Sequence, residues 1–434
     1  MMRSKFLINA LFIATLFVPA AHAQSNFLSG YVINLKGDTV FGKIDYQNWD
    51  RNPSQINFHP DNSSENSTYF PNDIMEFKVM DEKYVSATVQ VETSSRDIDR
   101  LSIGGVFQFK VQNVFLHTLF QGTKNLYAFQ DKSSNDHFYY KEDTTYHLLL
   151  YKKYIDKSVE YNTFQEIKKL SGQQQLASRY YGQMLEAKRY VGQLLYYFSD
   201  CPSLTAQINR TEYTVSSMVN LYKKYYQSTT NHMSFEKKQD KNLVKFGVVA
   251  GFTRTTLDFS SDVFPEFVNA AYKPSYNLSP AISIEFIQNR NLHKWSLYNE
   301  LLYTPYQMKG DAEDYLYYYH TEFKFHYLHL ISMIRYTQPY KSFKPFINGG
   351  FSFGYLFAET NKMVSQSKII ADRTDYGLAI EKPRRIEFAY NIGMGIKHKS
   401  FTYEYRAMIG NGMSPYIDLK SDAVRNMILV GYTF

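Results

Sequence analysis

Between residue 243 and the last residue, Phe434, the chain falls into eight strand-length segments in which apolar and polar side chains alternate. They run approximately 243–257, 278–288, 294–308, 320–338, 343–360, 385–397, 400–410 and 424–434. A tilted strand needs about 9–11 residues to cross a bilayer, and every segment reaches that length. In the first, Val244, Phe246, Val248, Ala250 and Phe252 share one face, with Lys245, Gly247, Gly251 and Thr253 on the other. In the second, Leu278, Ile282, Ile284 and Phe286 oppose Ser279, Ser283 and Glu285. In the sixth, Ile386, Phe388, Tyr390, Ile392, Met394 and Ile396 oppose Glu387, Ala389, Asn391, Gly393, Gly395 and Lys397. The eighth puts Asn426, Ile428, Val430, Tyr432 and Phe434 on one face. A period of two with one oily face marks a strand lying between two environments.

A soluble sandwich has the same period, so the connectors decide. The first, third, fifth and seventh are long, about 259–277, 309–319, 361–384 and 411–423. The second, fourth and sixth are short: 289–293, 339–342 and 398–399. Transmembrane barrels alternate short periplasmic turns with long extracellular loops, whereas a Greek-key sandwich has no reason to do so. The fold expected is therefore mostly β, an eight-stranded antiparallel transmembrane β-barrel at 243–434. An even strand number returns both barrel ends to the periplasmic side, which suits a domain placed before it. The fourth segment fits less simply. Phe323, Phe325 and Tyr327 lie on odd positions, Leu328, Leu330, Ile334 and Tyr336 on even ones. A bulge, or an extension beyond the membrane near Tyr327, would reconcile them.

Residues 1–23 have the pattern of a secretory signal peptide: Arg3 and Lys5, an apolar stretch from Phe6 to Pro19, then Ala21-His22-Ala23. The apolar stretch is too short for a membrane helix. An exported chain with a barrel pattern belongs in an outer membrane, a secreted soluble protein being the blander alternative. The 39 tyrosines and 33 phenylalanines suit strands and membrane interfaces. The net charge of +7 falls by two once Arg3 and Lys5 leave, too little and too dispersed for nucleic acid. Cys201 is alone, which excludes an intrachain disulfide and is read as a buried structural thiol.

Residues 24–160 look β-rich, beginning with a hairpin in which 30–35 and 39–46 flank Lys36-Gly37-Asp38. Further strands are expected at 56–58, 74–79, 84–91, 106–115, 125–130, 137–141 and 146–151, with a loop across 48–66. From about Asn162 the period becomes helical, and 161–228 is expected as a helical region. Tyr190, Leu194, Leu195 and Phe198 repeat at helical spacing, followed by helices at 206–208 and 215–226. The polar stretch 229–242 is taken as the linker into the barrel. Strands followed by helices indicate an α+β periplasmic domain.

By strand parity the charges facing the barrel interior are Lys245, Glu285, Glu300, Arg335, Glu387, Glu404 and Arg406, with His329 among them. Eight strands leave only enough width for side chains, so acids and bases there should pair. A fixed ion-pair core is the first reading, and a rearrangeable network gating small ions the second. Nothing places a nucleophile beside the carboxylates, so no catalytic residue is assigned and an enzyme is not expected. His326 and His329, three apart on a strand, point to opposite faces, and neither a metal nor another cofactor is called for. Asp311, Glu313 and Asp314 form an acidic loop cluster, read as solvated. Gly349-Gly350 and Gly393-x-Gly395 lie mid-strand with no helix following, which suits a crowded lumen and not a nucleotide loop.

The barrel region resembles the small outer-membrane β-barrel proteins of Bacteroidota, the PorT-like group. The resemblance rests on Phe246-Gly247-Val248-x-x-Gly251, Tyr327-Leu328-His329-Leu330 running to Arg335-Tyr336, residues 344–350 (Lys-Pro-Phe-Ile-Asn-Gly-Gly), and the terminal Gly431-Tyr432-Thr433-Phe434. Members usually carry an acid and a proline in the fourth strand, where this chain has His329 and Ser332. The stretch from Gly37 to Ile44, with Asp200-Cys201-Pro202, looks like the periplasmic portion often found before such barrels. The resemblance implies an outer-membrane location and a terminal aromatic signal, Tyr432 and Phe434, that the barrel-insertion machinery recognises. It implies no reaction. Expected partners are outer-membrane lipid, that machinery, and envelope or secretion proteins reached through the periplasmic domain. The function expected is a non-enzymatic anchor, scaffold or assembly subunit, with a narrow pore for ions or small solutes as the alternative. A hydrolase at the barrel rim stands last, because the third long loop offers Ser365, Ser367 and Asp372 without a histidine.

Overall fold

The computed structural model describes residues 26–156 and 183–434, apart from residues 64, 239, 241, 242, 341 and 371. The expected signal peptide, and the start of the helical region at Asn162, lie outside the described residues. The chain divides into two compact units, Met1–Gln239 and Asp240–Phe434.

The first unit is built on an eleven-stranded antiparallel sheet. Its spatial order runs from Thr145–Leu148 through Asp136–Glu142, Leu126–Gln130, Phe109–Gly122, Glu82–Glu92, Ile74–Val79, Phe27–Asn34, Thr39–Asp45 and Ile56–Pro60 to Ser67–Tyr69. Gly37, at φ +90°, makes the first hairpin turn as its sequence predicts. The stretch 48–66 is more than a loop. Within it the strand expected at 56–58 is present as Ile56–Pro60, Trp49 packs edge-on against Tyr46, Phe77 and Tyr84, and the Asn52 amide donates to the carbonyls of Phe115 and Ala128. Its polar composition hides one aromatic anchor and one amide that ties separate strands together.

Three helices, α1 (Arg189–Tyr197), α2 (Thr205–Arg210) and α3 (Val215–Ser228), pack on the sheet. In α3 the residues Met218, Leu221, Tyr222 and Tyr225 recur at helical spacing and are fully buried, and Thr214 caps the helix by accepting from the Ser217 amide (3.3 Å). They meet Tyr190, Leu194, Phe198 and Cys201 in one core with Phe120, Leu126 and Phe138 of the sheet. Two expectations are corrected here. Gln183–Ala187, inside the expected helical region, is a strand paired with Lys152–Asp156. Met233–Glu236, inside the expected linker, adds to the sheet beside residues 120–122, and Lys237 pairs with Asp81 at 2.9 Å. Backbone pairing and ion pairs of Glu236 with Lys223 and of Lys237 with Asp81 and Glu82 hold this apolar-poor segment, so hydropathy did not reveal it.

The second unit is a closed ring of eight antiparallel strands: β1 (Leu243–Ser260), β2 (Ser275–Ile287), β3 (Trp295–Glu313), β4 (Tyr317–Thr337), β5 (Phe343–Ser367), β6 (Ile386–His398), β7 (Phe401–Gly410) and β8 (Lys420–Thr433). Each pairs with its neighbours in sequence, and β8 pairs with β1 to close the circle. The outer face carries Phe246, Phe252, Ile282, Ile334, Ile347, Phe351, Ile392, Ile409 and Ile428, all exposed. A continuous apolar belt of this kind is a lipid-facing surface.

Along β3 the environment changes with height. Outward residues Trp295, Leu297, Leu301, Tyr303 and Pro305 give way to Gln307, Lys309, Asp311 and Glu313 on the same face. About eleven residues therefore span lipid and the rest project into water. The interior inverts in the opposite sense, from Glu300 to Tyr306 and Met308 on β3 and from Arg335 to Tyr327, Phe325 and Phe323 on β4. This resolves the fourth segment: β4 keeps one parity throughout, with odd positions inward, and the solvent outside it is what changes. The irregularity near Tyr327 is an extra residue in the partner, where Tyr327 pairs with Leu356 and His326 with Ala358, leaving Phe357 as the bulge in β5. The stretch 309–319 is correspondingly not a long loop, because β3 and β4 continue pairing up to Glu313 and Tyr318.

Substituting Leu194→Ala in the core of the first unit is expected to destabilise it by about 2–5 kcal/mol. The measurement is urea unfolding followed by near-ultraviolet circular dichroism, with the heat-modifiable gel migration of the barrel unchanged. In the same unit partial burial raises the Asp131 carboxyl, but hydrogen bonds from His137 and from the backbone and side chain of Asn135 outweigh it and hold the group at about 2. A depressed folded value contributes stability above the ordinary carboxylate range and loses it as pH falls toward 2. Wild type and Asp131→Asn are thus expected to differ most in urea midpoint at pH 6 and to converge by pH 2.

Candidate functional site

The barrel lumen gathers the buried charges of the second unit. Glu285 accepts from Lys397 Nζ at 2.7 and 2.8 Å and from the Ser296 hydroxyl at 2.6 Å, and Arg335 Nη1 lies 3.6 Å away. Arg335 also donates to Glu404 (3.0 Å), and its guanidinium lies over the rings of Tyr298 and Phe346. Glu404 accepts from Arg406 Nε at 2.7 Å, and Arg406 forks onto both oxygens of Glu300 at 2.9 and 3.1 Å. Tyr298 completes Glu300 with a 2.6 Å hydrogen bond. The result is one ladder, Lys397–Glu285–Arg335–Glu404–Arg406–Glu300. Nearer the long-connection end, Arg425 makes a separate bidentate pair with Glu387, 2.9 Å on one arm.

Six of the seven charges expected inside are brought into these pairs. Lys245 is the exception. It stands in register opposite Glu285 but is exposed at the short-turn rim and forms no ion pair among the described residues. Lys397 and Arg335, deeper in the lumen, take Glu285 in its place. Lys397 and Arg425 were missed as members, although parity could have found both. Lys397 shares the inner face of its segment with Glu387, and Arg425 has the opposite phase to Asn426 and Ile428. With them the four carboxylates meet four cations and the buried charge cancels, as burial without water demands.

The close packing explains Gly393 and Gly410, whereas Gly349, expected in the lumen, is exposed and has no crowded neighbour. A Cβ on Gly393 would stand 2.7 Å from Glu404 Oε1, and one on Gly410 would strike the Glu387 carboxylate. His329 is inside as expected, stacked against Tyr327, but makes no charge pair. Above the ladder the lumen is plugged by Tyr306, Phe323, Phe325 and Tyr327, together with Phe267, Ile380, Met413 and Leu419 from the long connections. At the opposite mouth a cleft of about 20 Å³ among Lys245, Glu285, Arg335, Glu404 and Tyr432 has room for about one water. Outside, Tyr432 stacks edge-on with Phe401 and Phe434, and the Phe434 amide donates to the Phe246 carbonyl at 2.9 Å. The terminal aromatic pair thus lies on the lipid side of the β1–β8 closure.

Replacing Arg406 with Met is expected to cost about 3–5 kcal/mol, because Glu300 is then buried without its counter-charge and Glu404 keeps only Arg335. Adding Glu300→Met should recover a large part of that loss, measured by urea unfolding in detergent micelles.

Residues 225–410 match the family described as outer membrane protein beta-barrel domain, a match running from α3 through β7. Among solved structures the chain is similar to Neisserial surface protein A (12% identity, 44% of this chain and 97% of that one, TM-score 0.24). It is similar also to the attachment invasion locus protein Ail of Yersinia pestis (14%, 44% and 99%, 0.24) and to OprG of Pseudomonas aeruginosa (15%, 44% and 97%, 0.26). No curated protein matches by sequence. Taken with the closed ring and its apolar belt, the family match makes the carboxyl-terminal unit of this chain an outer-membrane β-barrel domain.

Proposed function

We propose that the protein is a non-enzymatic outer-membrane anchor whose barrel holds the amino-terminal α+β unit on the periplasmic side, where that unit acts as a scaffold or subunit of an envelope or secretion assembly. The observation that carries this reading is the filled lumen. A neutral, mutually paired ladder under an aromatic plug leaves no aqueous path, and ions would have to break several bidentate contacts to pass. Membership of the PorT-like group would fit the same role. Connector length supports this sidedness: β1 begins and β8 ends at the rim of the short turns, the periplasmic rim in barrels of this kind. The first unit, with its own core, is then the part free to meet envelope proteins.

Two measurements test the reading. Planar-bilayer recordings of the full chain are expected to stay at baseline across voltage. In-cell crosslinking followed by purification is expected to recover discrete envelope proteins through lysines of the first unit. Steady unitary currents would sink the anchor reading in favour of a narrow pore, and crosslinks confined to the barrel would remove the scaffold.

A further inference from the structure

Around most of the barrel the backbone ladder is continuous. Between β2 and β3 it stops at Ala281 opposite Leu302, although β2 begins at Ser275 and β3 runs on to Glu313. The direction of the amides explains the lapse. The Gln288 amide donates to the Trp295 carbonyl, so even-numbered residues of β2 turn toward β3. Pro280 is one of these and has no N–H to give. From the other side the Gln307 amide donates to Ser275 Oγ (3.0 Å), so odd-numbered residues of β3 turn toward β2, and Pro305 is among them. Two prolines therefore face one gap. Past it the strands are held by side chains: the Ser275 hydroxyl, and the Tyr272 ring lying on Gly310 with its hydroxyl 3.1 Å from Thr321 Oγ1. Tyr276 and Leu278, exposed, and Tyr303 flank the gap on the outer face, at the level of the apolar belt.

Behind the gap the lumen holds polar atoms that nothing pairs. Thr255 Oγ1, Thr304 Oγ1, Tyr327 OH, both ring nitrogens of His329 and Arg425 Nε are buried with no hydrogen-bond partner among the described residues. All five residues are 0% exposed. The register gathers them in one zone, with Thr304 opposite Tyr327, Leu302 opposite His329, and Thr255 opposite Arg425. Buried polar groups are rarely left unpaired, and five residues from four strands together mark a place for a guest. Arg425 is already neutralised by Glu387, so the guest that fits is uncharged and rich in oxygen. A break in the backbone ladder in front of such a zone suits a molecule with one polar and one apolar end.

We propose that the barrel admits the uncharged, oxygen-rich headgroup of a bilayer amphiphile sideways between β2 and β3, its hydroxyls meeting Thr304, Tyr327, His329 and Arg425 while its chain stays in lipid. The test uses the full chain in phosphatidylcholine vesicles containing monooleoylglycerol with a photoreactive diazirine on the glycerol. Labelling is expected to concentrate on peptides covering 276–280 and 303–306. Pro280→Val with Pro305→Val, which restores the missing amides, is expected to lower it about fivefold, the order of one or two regained backbone hydrogen bonds. Thr304→Val keeps the gap and removes one hydroxyl, so it should lower labelling even if the double variant folds poorly. Heat-modifiable migration reports folding of each variant. Labelling spread evenly over all eight strands, or undiminished in both variants, overturns the site. Equal hydrogen-exchange protection of the Leu278 and Tyr303 amides and those of Ile282 and Leu301 overturns the gap.

Discussion

Arg406 clasping Glu300 with one edge and Glu404 with the other is the contact on which the rest of the barrel turns. Eight strands enclose a space only as wide as their side chains, and lipid outside excludes charge from the outer face at bilayer depth. Each strand that brings a charge inward must therefore meet its opposite from another strand. Glu300 on β3, Arg335 on β4, Glu404 and Arg406 on β7 and Lys397 on β6 do so, and the pairings fix how far each strand is shifted against the others. A one-residue slip would carry a charge to the lipid face and leave its partner alone inside. The ladder is in this sense a register lock. Its stabilisation relative to an apolar core is modest.

The second organising feature is the reversal of polarity along β3 and β4. At bilayer depth the wall is apolar outside and charged inside. Beyond it, the same strands are charged outside and aromatic inside, as a soluble barrel would be. The strands do not twist out of phase to achieve this. The sequence moves its apolar residues from even to odd positions of β4 where the outside medium changes from lipid to water.

That reversal also sets what could be read before the structure. The closed eight-stranded ring was legible because lipid imposes a strict period of two, and the inward positions of Glu285, Glu300, Arg335, Glu387, Glu404 and Arg406 follow from it. The partners did not follow, because parity says which side a residue faces and not its height in the lumen. Lys245 has the right phase but lies at the rim, while Lys397 and Arg425 have the right phase and the right height. The extent of β3 and β4 was hidden for another reason. A strand in water on its outer face looks like a polar loop when 309–319 is scanned for hydrophobicity. In the first unit, Trp49, Asn52 and the strand Met233–Glu236 are held by single anchors and backbone bonds, which leave no periodic trace.

The pairing of β1 with β8 joins residues about as far apart in the barrel sequence as two can be, Gly247 with Thr433 and Ser260 with Lys420. Every other junction can form between neighbours as they emerge, but this one waits for β8, and the Phe434 amide fastens onto Phe246. Contacts of such long sequence separation are the slow ones in folding. Until that clasp is made the sheet has two raw edges, so a chain lacking β8 would sit open in the membrane as a target for proteases and not as a slightly smaller cylinder.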